Sequence, residues 1–192
     1  MSARRGFTIV ELVVTMVIMA ILLTLGVVSL VRSQANARDA ERRSDTDAIA
    51  RGLEVLYRKG YTAGSLSIPT GSYPDVDEMN YMLGRAGATT PNVTDVVTGT
   101  TDQTFRPPSV SDFSGMVTAP CTTAGACPAA VDSSASGTSL DSVVTPNVYY
   151  YEPIDADGNV CKGVVCVRFN LYWRTEVPVN AATLGMIRSK HQ

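Results

Sequence analysis

Histidine is nearly missing from this 192-residue sequence: the single one, His191, stands alone on the C-terminal tail. No G-x-S-x-G, Walker or zincin pattern appears. Asp155 and Asp157 could pose as paired carboxylates, but turn chemistry accounts for them. No catalytic constellation remains, so an enzyme is not expected, and no cofactor is implied. Basic residues are also short, with 16 Lys and Arg against 18 Asp and Glu. That excludes broad, non-specific nucleic-acid affinity, and no specific nucleic-acid site is evident. The small basic pair Arg42–Arg43 reads as a solvated helix face. Its alternative is contact with DNA or an anionic lipid head group. Proline is absent before Pro69, and cysteine before Cys121. The first absence leaves a long helix unbroken. The second confines any disulfides to the C-terminal part.

Four cysteines stand at Cys121, Cys127, Cys161 and Cys166. An even number in one half of the chain suggests disulfides and an oxidising compartment. Three connectivities are open; the close pairs Cys121–Cys127 and Cys161–Cys166 are the expected one. Zinc is the competing reading, but C-x5-C and C-x4-C match the usual knuckle spacing poorly.

What the sequence does have is a long apolar run. Residues 7–31 carry one ionisable side chain, Glu11. As a helix they would span about 38 Å, enough to cross a bilayer core. Apolar residues surround this helix on every side. Arg4 and Arg5 precede it and favour a cytoplasmic N-terminus, with the remainder outside. An ordinary secretory signal has a short apolar core before its small-residue cleavage site. Here the run is long, and the small residue, Gly6, comes first. A plain signal anchor explains the length and the arginines but not Glu11. An intramembrane carboxylate is costly and is a functional candidate by default.

The segment Arg4-Arg5-Gly6-Phe7-Thr8-Ile9-Val10-Glu11-Leu12 resembles the prepilin motif of type IV pilins, type II secretion pseudopilins and competence pseudopilins. The resemblance covers residues 1–60 well and is looser beyond. It implies cleavage between Gly6 and Phe7 by a membrane prepilin peptidase, and N-methylation of Phe7. It also implies that Glu11 guides assembly by pairing with the Phe7 amine of a neighbouring copy. Physical reasoning agrees with that role. A carboxylate left unpaired among apolar helices costs several kcal/mol, so a wrong axial register is penalised. Many family members carry a helix-bending proline where this sequence has Val28; Gly26 is the only weak point nearby. A straighter helix is therefore expected.

The resemblance implies an α+β, pilin-like fold: a long N-terminal helix packed on a small antiparallel sheet with long loops. The expected divisions are a leader (1–6), a membrane-spanning or filament-core helix (7–31), an amphipathic continuation (32–60) and a β-rich extracytoplasmic head (61–192). Implied partners are other copies and related pilins, the peptidase and an inner-membrane assembly platform. Before assembly the chain would sit in the cytoplasmic membrane as a single-pass, N-in protein; afterwards it would lie in an extracellular filament. The implied function is a type IV pilus subunit, major or minor, serving adhesion, surface motility or DNA uptake. A pseudopilin is the alternative within the family. A monomeric, membrane-anchored surface-binding protein is the alternative of another class.

The residues beyond the apolar run support local expectations. From Arg32 to Lys59, Ala37, Ala40, Ala48, Ile49, Leu53, Leu56 and Tyr57 recur at helical spacing. Arg38, Glu41, Arg42, Asp45 and Arg51 fall elsewhere, and Gly60 ends the helix. Residues 61–74 read as a loop with a G-x-Y-P turn at Gly71–Pro74, and 75–84 as a short helix. Residues 86–146 are rich in Thr, Ser, Ala, Gly and Pro. They read as irregular loops with short strands near Val96–Val97, Phe113–Val117 and Val143–Val144. Asn92-Val93-Thr94 matches a glycosylation sequon, a weak pattern. Val148–Ile154 and the alternation from Val165 to Arg174 predict a hairpin with one buried face. Asp155, Asp157 and Asn159 in its connection invite a calcium reading, but the sixth and twelfth positions, Val160 and Cys166, do not fit an EF-hand. A turn is expected there.

Overall fold

The computed structural model describes residues 6–85, 91–121, 123–124, 127–130, 140, 143–179 and 182–191. Arg4 and Arg5 lie outside the described residues. One helix, α1 (Ile9–Lys59), dominates the molecule. Its 51 residues make it about 77 Å long at 1.5 Å per residue. Thr8 starts it and Gly60, with φ near +67°, stops it. Arg58 and Lys59 occupy the last turn, where cations complement the helix dipole. Gly26 does not interrupt it.

The two halves of α1 have different surroundings. Large apolar side chains from Ile9 to Val31 are exposed, and none of the most apolar window is covered by the head. From Arg42 onward the helix lays Ile49, Leu53 and Leu56 on the head, with Tyr57 at the edge of the same core. Ala37 and Ala40, expected in that stripe, are exposed; at this level β5 meets the helix through Arg38 and Asp39 instead. Arg42 takes a buried place instead.

After α1 come β1 (Tyr61–Ala63) and β2 (Leu66–Ile68), an antiparallel hairpin turning at Gly64. This corrects the expectation of a plain loop: Leu66 and Ile68 alternate inward with only one residue between them, too short a pattern to stand out. Then follow α2 (Val76–Met82), α3 (Val93–Val96), and 3-10 turns at Asp102–Phe105 and Phe113–Gly115. A second sheet has the order β3-β4-β5-β6, from β3 (Met116–Thr118), β4 (Tyr149–Ile154), β5 (Arg168–Val179) and β6 (Ala182–Arg188). Its pairs are antiparallel except β3 with β4.

Two strand expectations fail. Val96 ends a helical turn capped by Asn92, whose side chain accepts from the Val93 amide. Val143 and Val144 lie in a turn, with Val144 fully buried. The β4–β5 hairpin forms, but β5 does not have one wet face. Phe169, Leu171 and Trp173 face the α1 core, while Tyr172 is buried in a second cluster with Tyr150, Val144, Val160 and Ala119. The sparse apolar residues of the loop-rich region cover that side of the sheet. Val165, expected inside, is 57% exposed, because the strand begins only at Arg168.

Candidate functional site

The N-terminal site is built from Gly6, Phe7 and Thr8 and the carboxylate of Glu11. Gly6 and Phe7 precede the helix, and Thr8 has extended backbone, with φ −88° and ψ 149°. Phe7 is 81% exposed, and nothing lies within 4 Å of a Cβ built on Gly6. The Gly6–Phe7 bond is thus an exposed, non-helical peptide at the mouth of an apolar helix.

Thr8 and Glu11 close a reciprocal capping box. The Thr8 amide and hydroxyl donate to Glu11 Oε2 at 3.0 and 2.8 Å. The Glu11 amide donates to Thr8 Oγ1 at 3.2 Å. The carboxylate therefore has local donors and sits at the positive end of the helix. That arrangement lowers the cost of an acid at membrane depth without neutralising it. Sequence reasoning gave Glu11 a partner in another copy and missed Thr8. The signal was present: Thr8-Ile9-Val10-Glu11 is the S/T-x-x-E pattern before an apolar run.

The head is fastened to α1 by two polar knots. In the first, Arg42 is 1% exposed. Its Nε donates to the Pro146 carbonyl, Nη1 to Asp39 and Nη2 to Glu176, each at 2.7 Å. Arg38 also pairs with Glu176, and Asp39 accepts the Glu176 and Val177 amides. The hydrogen bond from Arg38 holds the Glu176 carboxyl down at about 2, partly opposed by its burial and helped by Arg42. This corrects the reading of Arg42–Arg43 as a solvated face: only Arg43 is exposed. The second knot centres on Glu54. It accepts from the Tyr73 hydroxyl at 3.0 Å and the Lys190 amide at 2.8 Å, and its other oxygen is 3.4 Å from His191 Nε2. Tyr73 comes from the G-x-Y-P turn, where Gly71 has φ +81° and its amide donates to the Tyr57 carbonyl.

The cysteines are joined as Cys121–Cys127 and Cys161–Cys166, with Cα atoms 5.1 and 5.7 Å apart. Both sulfur pairs are thereby occupied, so the zinc alternative has no thiolates to use. Asp155 Oδ1 accepts the Asp157 and Asn159 amides, each at 2.9 Å, and Gly158 takes φ +88°. That is an Asx-type turn. Among the described residues no three His, Cys, Asp or Glu side chains converge as a metal site. The turn and the first disulfide loop lie side by side, joined by the Val160 amide to Pro128 and the Ala130 amide to Gly158. Neither is near the N-terminal site along the chain.

Residues 1–27 match the family model described as the prokaryotic N-terminal methylation motif. No curated protein and no solved structure matches the chain.

Proposed function

We propose that this chain, whose first 27 residues are a class III prepilin signal of the kind carried by type IV pilins and pseudopilins, is a structural subunit of a type IV pilus filament. The methylation motif carries this reading. Cleavage between Gly6 and Phe7 releases a free amine on Phe7, which the peptidase then methylates. The membrane holds the apolar half of α1 first, with the head outside; an inner-membrane assembly platform then transfers the subunit to the filament. There the uncovered side chains from Ile9 to Val31 exchange lipid for the helices of other copies.

Glu11 does the selecting. In the separate subunit its carboxylate rests on Thr8. In the filament it gains a charged partner, the Phe7 amine of the next copy. A copy in the wrong axial position leaves both charges unpaired in apolar surroundings. The long Thr- and Ser-rich stretch of the head favours a displayed pilus over a secretion pseudopilin. Adhesion, surface motility and DNA uptake are the roles such display serves.

Replacing Glu11 with Ala tests the register argument. The variant should insert in the membrane at the normal level while the polymer in sheared surface fractions falls at least about tenfold, the effect of losing one charge-assisted pairing. Undiminished polymer would remove Glu11 from assembly.

A further inference from the structure

Arg168 opens β5 and is half-buried, yet it has no carboxylate partner among the described residues. Its Nε is buried without any hydrogen bond, and Nη2 reaches only the Asp155 carbonyl, at 3.3 Å. Arg38, Arg42 and Arg106 each have a carboxylate. A half-buried guanidinium without a counter-ion is unfavourable, and its planar fork fits a carboxylate with two parallel hydrogen bonds.

Arg168 lines a cavity of about 460 Å³ together with Tyr57, Ala156, Val167 and His191. The His191 ring stacks on Tyr57, with centroids 4.2 Å apart and planes 17° from parallel. Its Nε2 is turned to Glu54, and the side chain remains 44% exposed. One ring face is therefore covered by Tyr57, and the partly exposed ring lines the cavity. A rigid aromatic platform beside a single unpaired guanidinium is a recognition arrangement for a ring that bears an anion.

We propose that this cavity binds a carboxylate-bearing sugar ring of the uronic acid class. The carboxylate sits on Arg168, and the C–H face of the ring lies on His191. Charge favours a monoanion. Arg168 is the one guanidinium lining the cavity, and the Glu54 carboxylate stands behind the imidazole, so a phosphate dianion would have its charge only half matched. Val167 and Ala156 supply the apolar wall. The site lies on the head, and its existence does not depend on the filament reading.

The sequence has one histidine, so the imidazole resonances report on this cavity alone. The full chain in detergent micelles is titrated with D-glucuronate, D-glucose and inorganic phosphate. Glucuronate should displace the His191 signals saturably; glucose and phosphate should not. Arg168→Gln should weaken glucuronate binding by about tenfold or more, the loss expected for a charge-assisted bidentate contact. Arg168→Lys, which keeps the charge but not the fork, should also weaken it and serves if the Gln variant does not fold. By calorimetry, His191→Phe should retain binding and His191→Ala should lose it. No saturable displacement by glucuronate, equal displacement by phosphate, or unchanged affinity in either Arg168 variant would overturn the proposal.

Discussion

Arg42 shows how one side chain can join two elements distant in sequence. Its guanidinium is buried, and its donors are used by Asp39 in the same helix, Glu176 in β5 and the Pro146 carbonyl. Removing it leaves the partly exposed Asp39 and Glu176 carboxylates and a carbonyl without their shared donor. Arg42→Ala should therefore destabilise the head by about 1–3 kcal/mol, read from chemical denaturation of the full chain in detergent. An unchanged midpoint would mean that Arg38 alone satisfies Glu176. At this scale the sequence was a partial guide. Gly6, Phe7 and Glu11 stand out because a small residue, an aromatic and one acid interrupt or border an apolar run. Arg42 does not, because a buried and a solvated arginine look the same until the partner, 134 residues away, is known.

At the scale of elements, α1 and the β4–β5 hairpin were legible and the small elements were not. A 51-residue helix repeats its period many times, whereas β1, β2 and α3 have three or four residues each. The alternation along β5 correctly placed Phe169, Leu171 and Trp173 on one side. It could not show that the other side is also covered, since the covering residues come from a loop-rich stretch with no period. The contact between α1 and the segment after α3 was likewise invisible. Gly52 lets that segment approach: an added Cβ would stand 2.4 Å from Val97 Cγ1 and 2.9 Å from the Thr98 carbonyl oxygen. The second atom is backbone and cannot rotate away. Gly52→Ala should thus lower stability by about 1–3 kcal/mol, although alanine is the better helix former. A raised melting temperature would show that helix propensity outweighs the clash.

For the whole molecule, acidity should tune the stability of the head. Burial pushes the Glu78 carboxyl up to about 7, opposed by the Asp75 amide, and raises Asp45 to about 6 against the Tyr149 hydrogen bond. Both acids hold a proton more tightly when folded than when unfolded. Their contribution to stability is therefore present at low pH and is lost as pH rises from about 4 to about 7. Glu176 has the opposite sign: its contribution is present above its ordinary value of 4.5 and is lost as pH falls toward about 2. Melting curves should thus pass through a maximum in the mildly acidic range, and Glu78→Gln should flatten the alkaline side. A melting temperature that climbs steadily from pH 5 to 8 would contradict this.

Hydropathy changes sharply at Arg32, and the exposed large apolar side chains from Ile9 to Val31 all precede that point. The pattern of loops within the head, and the cavity between Tyr57, Arg168 and His191, depend on contacts between distant segments and were not legible in the sequence. The central claim is that one cut makes both the mature subunit and the amine on which assembly turns. Mass spectrometry of the chain recovered from sheared surface filaments tests it most directly. The account predicts a subunit beginning at Phe7 and carrying a methyl group on its amine. A chain recovered only from the membrane, with residues 1–6 still attached in cells that contain the peptidase, would contradict it.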